Sequence, residues 1–525
     1  MAKSRTEEIN RTQIAKNTIS ISFVRILVRL AALVRQLLIA RFFGATGSTD
    51  AYFVVYQLQS VIGLFLGAGS LQASTTTMLI DADVKGGKNS AKKLLSKILA
   101  DQIVIGFIIL ILALFSFRYW GKILVPGFTS ESSKYLYGLS MYMFPAAVIT
   151  AVMFIASSGL HSKRIFIPSE IANFIITITL LTVIAIFHDY LKIYSLGLGH
   201  ILGASIALAF ILFVLRKKGL GSIGKPDFSD PAIKKTVSQS IMVIVFMFAS
   251  QVFRIFERFL ASFLPAGKIT SLSLAQMIVG AIIFVVAHPF LLVIHTDLSK
   301  TYSNKKYDRF SEQLNRILGS LFFLFIPISA GLFAMAKPLV FILLRQGKFS
   351  VQASIDTSLA IRIFAVGFLF QGLNLFLARV LMATQMTKKL ALISTYTWLG
   401  GMVLDWFMVK QFGFKGLAIT FVIVFIIQDI ILFRLVSKEI GLAIKPLYKT
   451  VIRVIISSTI MYVVVHYLVG LFDFQIVGFE QKIIKAAILS AISIAGGGLY
   501  ILLSHLLGCE YPKIVYNILF RKTIK

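Results

Sequence analysis

The chain has 525 residues, 57% of them hydrophobic, with a mean hydropathy of +0.86, a net charge of +31 and a single cysteine. Soluble domains are roughly 45–50% apolar, whereas this chain repeats apolar runs of about 20 residues. That excludes a soluble enzyme or nucleic-acid-binding domain and indicates an all-α polytopic membrane protein, whose basic excess follows from Lys- and Arg-rich cytoplasmic loops.

Cys509 alone leaves no disulfide framework within the chain and no multi-cysteine metal site. Residues 1–18 are polar, lack a small-residue cleavage site before the first apolar run, and read as a cytoplasmic N-terminus rather than a cleaved signal. Apolar runs then predict spans near 20–43, 50–80, 93–117, 135–159, 165–187, 195–215, 237–263 and 271–298, followed by 312–336, 353–383, 390–409, 415–437, 449–471 and 482–507. Fourteen spans put both termini on one side. The loops on that side hold a roughly threefold excess of Lys and Arg, which makes it the cytoplasmic side.

The predicted organisation is a six-helix lobe over 19–215, a basic Gly- and Pro-containing linker over 216–236 and a second six-helix lobe over 237–437. Two additional spans follow over 438–507, and 508–525 reads as a basic amphipathic tail on the membrane surface. Two echoes support a duplication. RQLLIARFFGATGSTDAYF at 35–53 aligns with RFLASFLPAGKITSLSLAQ at 258–276, and GLHSKRIFIPSEI at 159–171 aligns with TQMTKKLALISTY at 384–396, at nearly one offset. Duplicated bundles place substrate between the halves and alternate access by rocking.

The first span carries arginines that lipid would refuse. Arg25, Arg29, Arg35 and Arg41 sit among Leu, Ile, Val, Ala and Phe, with no acid before Asp50. An arginine near a bilayer centre costs at least about 2.5–3.5 kcal/mol, so such residues face protein or a watery cavity and mark a pathway. At about 100° per residue Arg25, Arg29 and Arg35 share an arc of roughly 120°, while Arg41 lies on the other side near the helix end. Arg25 also fits an interfacial anchor. Arg29 and Arg35 are too deep for easy anchoring, and an anionic ligand is their natural partner.

Span seven opens the second lobe with Arg254, Glu257 and Arg258 on one face. The two arginines join the candidate anion-binding set, although a local pairing with Glu257 explains them equally well. Asp405, in TWLGGMVLDWF, has no basic neighbour nearer than Lys410 and wants a partner, a proton or a metal ion. With Glu257 it is a candidate site for a monovalent cation, Na+ or H+, to which Thr420, Gln428 and Asp429 could add oxygens. Pro145, Pro168, Pro289 and Pro327 are expected to kink their spans. No nucleotide-binding loop, Ser–His–Asp set or zinc motif occurs.

RQLLIARFFGATGSTDAYFV, with VPGFTSES at 125–132, RIFIPSEIANF at 164–174, ERFLASFLPAGKIT at 257–270 and FILLRQGKFSVQAS at 341–354, resembles the MurJ/MviN lipid flippases of the multidrug/oligosaccharidyl-lipid/polysaccharide superfamily. The resemblance implies two six-helix lobes, no enzymatic reaction and no cofactor. It further implies transport of a polyprenyl-diphosphate-linked saccharide, with both termini cytoplasmic in the bacterial inner membrane and the chain acting as a monomer. By motif it assigns Arg29, Arg35 and Asp50 to substrate handling, and Glu257, Asp405 and Thr420 to a coupling-cation site. Departures stand out. Gln36 follows Arg35 where the family has an acid, Gly63-Leu64 replaces an arginine pair, and Met277 replaces an arginine. Lipid II and another polyprenyl-linked glycan both stay open as cargo. A cation-coupled drug antiporter of the superfamily, or a membrane glycan ligase or polymerase, is the alternative; the first usually carries acids rather than arginines, and the second needs larger outer loops.

Overall fold

The computed structural model describes residues 24–25, 27–67, 70–221, 224–229, 248–303, 307–440, 445–474 and 479–511. The segment 1–18 and most of the tail at 508–525 lie outside these residues. The described elements are helices: α1 (27–43), α2 (Gly47–Phe65), α3 (Ser70–Leu124), α4 (Ser130–Ser162), α5 (Ile167–Leu191), α6 (Tyr194–Lys217) and α7 (248–261). They continue with α8 (Lys268–Ser303), α9 (Tyr307–Leu343), α10 (Val351–Val366), α11 (Phe368–Ala383), α12 (Thr387–Phe412), α13 (Phe414–Ile440), α14 (Lys445–Gly470) and α15 (Phe479–Leu506). Among the described residues nine helices are long and apolar enough to cross a membrane, and α10 with α11 makes a tenth as a pair bent by 51°. The chain is an all-α polytopic membrane protein.

The expected spans map onto these helices with two differences in continuity. The second span is broken after Phe65, where Leu66 and Gly67 turn and Gly67 has φ +77°. The tenth is bent at Gly367. α3 is two helices that meet at a kink at Gly87, with φ 72° and ψ −179°, which separates the end of the second span from the third as expected. No Cβ contact would form at Gly87, so its backbone conformation alone calls for glycine.

Local chemistry sets the helix starts. Thr49 Oγ1 accepts from Thr46 N at 2.8 Å at the start of α2, Thr129 caps α4 by accepting from Ser132 N at 3.2 Å, and Ser350 caps α10 by accepting from Ala353 N at 3.1 Å. Pro145 and Pro327 lie inside α4 and α9, the latter together with Pro338. Pro168 kinks nothing. It occupies the first turn of α5, where the missing N–H has no helical partner to lose.

Contacts divide the chain into two compact units, Met1–Ala266 and Gly267–Lys525. The division falls after α7, so the seventh helix packs with the first unit, beyond the 216–236 linker. The core of unit 1 gathers Leu79, Leu95, Met153, Leu160, Ile211 and Leu215 from α3, α4 and α6. The described start of the linker is fastened to α3. Gly224 N donates to Ser96 O at 3.1 Å, Asp227 N donates to Asp101 Oδ1 at 2.7 Å, and Lys97 Nζ lies 2.8 Å from Asp227 Oδ2. Asp101 is 3% exposed and accepts this backbone. The ammonium of Lys97 holds the Asp227 carboxyl below the usual carboxylate range. A depressed folded value stabilises above the unfolded pKa near 3.9 and is lost on acidification below it. Protection of the 224–229 amides, relative to their intrinsic exchange rates, is therefore expected to hold from neutral pH to about pH 5 and to fall below about pH 4. Protection that is absent throughout would show the anchor to be absent.

In unit 2 the α9, α14 and α15 core centres on Phe323, Met461, Val465 and Tyr500, whose hydroxyl donates to Phe323 O at 2.6 Å. An apolar cavity of about 650 Å³ adjoins it, lined among others by Leu324, Pro327, Met335, Gly497 and Ile501.

Candidate functional site

In unit 1 the arginines of the first span differ in their surroundings. Arg25 is half-exposed, and its Nε donates to Glu170 Oε1 at 2.7 Å, a residue in the first turn of α5. Arg29 is exposed, while Arg35 is 9% exposed. Arg41 is exposed and stacks on Phe42 at 5.7 Å, away from the others, as its angular position requires.

An aromatic cradle surrounds Arg35. Its Cζ lies 5.7 Å from the centroid of Tyr56, and Tyr56 sits 5.8 Å from the ring of His200 on α6. Tyr52, one helical turn before Tyr56, shares a hydrogen bond of 3.2 Å with His200 Nε2. With its amide oxygen turned toward the guanidinium, Gln36 accepts from Arg35 Nη2 at 3.1 Å and Nε at 3.3 Å. A ring face and an amide oxygen hold the cation without neutralising it, so its charge stays available to an anion. Asp50 is 3% exposed in the first turn of α2, where the helix dipole favours a carboxylate.

On α7 Glu257 is fully buried, Arg258 is 6% exposed and Arg254 is half-buried. The Arg258 Nη1 to Glu257 Oε2 distance is 3.9 Å, a loose ion pair rather than a close one. Gln57 on α2 hydrogen-bonds Gln251 on α7, and Phe65 packs on Phe248 at 5.2 Å.

In unit 2 Asp405 and Thr420 are both fully buried, and the Thr420 hydroxyl donates to Gly416 O at 3.0 Å. Gln428 Nε2 donates to Ser394 Oγ at 2.7 Å, and Asn374 Nδ2 to Asp429 Oδ1 at 2.8 Å. Lys268 at the start of α8 pairs with Asp356 of α10 at 2.6 Å and lies 5.4 Å from the ring of Phe414. Among the described residues no cluster of three His, Cys, Asp or Glu side chains could hold a metal ion.

Sequence reasoning missed Tyr52, Tyr56, His200 and Glu170. The i, i+4 pair of tyrosines behind Asp50 was the available signal for the cradle. His200 and Glu170 carried none, since their partners are 148 and 145 residues away.

The family model described as "Lipid II flippase MurJ" matches residues 39–485. The "Probable lipid II flippase MurJ" of Buchnera aphidicola subsp. Schizaphis graminum is 25% identical over 502 residues, covering 94% of this chain and 97% of that protein. A solved structure, "Lipid II flippase MurJ, inward closed conformation", is 21% identical with a TM-score of 0.76, covering 95% of this chain and all of the other. A second, the inward-facing conformation of a multidrug resistance MATE family transporter of the MOP superfamily, is 14% identical with a TM-score of 0.70, covering 82% and 99%. At these identities both solved structures speak to the fold alone.

Proposed function

The chain belongs to the lipid II flippase MurJ family, and on that premise we propose that it carries a polyprenyl-diphosphate-linked saccharide from the cytoplasmic to the outer leaflet of the bacterial inner membrane. It is a transporter rather than an enzyme. The cargo is lipid II or a related precursor whose shared feature is the lipid diphosphate, and movement is by alternating access of a monomer. The observation that carries the reading is Arg35: a guanidinium buried in an apolar helix, cradled by Tyr56 and Gln36. Its planar fork matches phosphate oxygens with paired, charge-assisted bonds. Arg29 offers a second cation two turns earlier, and Arg25, Arg254 and Arg258 extend the basic lining, with Asp50 orienting it. The apolar cavity of unit 2 suits a polyprenyl chain. A sodium ion or proton drives the cycle, with Glu257, Asp405 and Thr420 as the oxygen-bearing groups assigned to it.

The test uses the purified protein in vesicles carrying a fluorescent polyprenyl-diphosphate disaccharide in one leaflet. Arrival in the other leaflet, read by an impermeant quencher, is expected to outpace protein-free vesicles, while a fluorescent phospholipid does not move. Equal rates with and without protein would contradict the proposal.

Both termini are assigned to the cytoplasm on the loop charge asymmetry. A cysteine at Ser90, on a Cys509→Ser background, is then expected to resist an impermeant maleimide added to intact cells and to react after lysis. Labelling in intact cells would reverse the orientation.

A further inference from the structure

Asp429, expected from the sequence only to add an oxygen to the cation site, has surroundings of its own. It is 2% exposed on α13, about 13 Å along that helix from Thr420 at 1.5 Å per residue. One carboxylate oxygen accepts from Asn374 Nδ2 at 2.8 Å, and the other, Oδ2, is buried without a hydrogen-bond partner. Asp429 makes no ion pair among the described residues.

The helices packed on α13 are α10, α11 and α12. From α11 the polar neighbour is the neutral amide of Asn374. On α12, Ser394 is engaged by Gln428, which points to another side of α13. The charged groups of these helices are placed elsewhere. Asp356 is held by Lys268, Arg362 lies over Phe333 at 6.0 Å, and Arg379 and Lys388 are exposed. Lys389 is bonded to Glu439. Asp405 lies eleven residues beyond Ser394 on α12, about 16 Å away along the axis.

A carboxylate in such a place has no countercharge, and burial disfavours the ionised form. Two occupants could relieve it. A sodium ion requires several oxygen ligands, whereas among the described residues the side chain bonded to this carboxylate is the single amide of Asn374. A proton requires only the one free oxygen. We propose that Asp429 is a reversible proton-binding site of the second unit, distinct from Asp405 and Thr420. When protonated it sits neutral against Asn374, and α11 stays packed on α13. When the proton leaves, the anion calls for water or a cation, which favours parting of the two helices. The inference does not depend on the identity of the cargo.

Infrared difference spectroscopy of the full chain in lipid nanodiscs, stepped in pH in sodium-free buffer, tests it. The wild type is expected to show the carbonyl band of a buried protonated carboxyl at neutral pH, lost on raising the pH and regained on lowering it. Asp429→Asn is expected to lack that band, and Asn374→Ala to shift its frequency, because the amide bond to the carboxyl is gone. A band unchanged in Asp429→Asn overturns the assignment, as does a band displaced by sodium chloride at constant pH. If Asp429→Asn does not fold, an unshifted band in Asn374→Ala overturns it equally.

Discussion

Alanine at Arg35 is expected to weaken retention of the lipid-linked diphosphate by at least about tenfold and to abolish transport, while the protein still inserts and folds. The magnitude follows from the bond type: hydrogen bonds to charged groups contribute roughly 1.5–3 kcal/mol each, or about 10- to 150-fold. Folding should survive because an unneutralised buried cation stabilises little by itself, and removing it relieves a desolvation cost. Lysine at the same position should rescue only partly, since a point charge lacks the fork that engages two oxygens. Tyr56→Ala removes a ring 5.7 Å from the guanidinium and should cost about 0.5–2 kcal/mol through that contact. Arg41→Ala is the control, being exposed and turned to Phe42, and should transport near the normal rate. Complementation of a flippase-depleted strain, with membrane levels measured in parallel, reads all four. Normal transport by Arg35→Ala would remove the arginine from the mechanism.

Gly127→Val is expected to destabilise unit 1 strongly. A Cβ at Gly127 would stand 2.2 Å from Ser262 O and 2.8 Å from Phe263 Cα. Those are backbone atoms, which cannot swing aside as a side-chain tip can. The short loop between α3 and α4 would have to leave the end of α7, breaking the Gly127 N to Ser262 Oγ hydrogen bond of 3.2 Å. Overpacking of this kind costs about 1–3 kcal/mol and more where backbone must move. Ser262→Ala loses that hydrogen bond and the one its hydroxyl donates to Phe259 O at 2.7 Å, about 1 kcal/mol each, without displacing backbone. A detergent-solubilised melt should therefore order the variants as wild type, Ser262→Ala, then Gly127→Val, with a clear drop for the last. An unchanged melt for Gly127→Val would show that this approach is not held in the folded protein.

The class of fold was legible because the bilayer imposes it: apolar runs must become helices when no water is present to satisfy the backbone. Continuity was legible only in part. Hydropathy reads the apolar stretch through Leu66 and Gly67 as one span, although the chain turns there, whereas the polar gap it sees around Gly87 is a true break. The turn at Gly67 rests on a φ/ψ choice that leaves no trace in mean hydropathy. The angular argument separated Arg41 from the other arginines of α1 because helical period is a local property. It placed Arg25 and Arg29 on one arc with Arg35, yet the three differ in burial, because α5 and its Glu170 cover one of them and α2 and α6 cover another. Glu257 and Arg258 could be expected to meet from spacing alone, and they do so loosely. Asp429 was visible only as an oxygen beside Gln428. Its partner Asn374 is 55 residues away, and a contact at that distance is fixed by packing.

The central claim is that the arginine-lined first unit holds a lipid diphosphate carrying a sugar. Native mass spectrometry of the protein purified from its own membranes, wild type beside Arg35→Ala, tests it most directly. The account predicts a retained species with the mass of a polyprenyl diphosphate bearing a saccharide, strongly depleted in Arg35→Ala while bound phospholipids persist. A wild type that retains only phospholipids, or a lipid-linked sugar retained equally by both proteins, would contradict it.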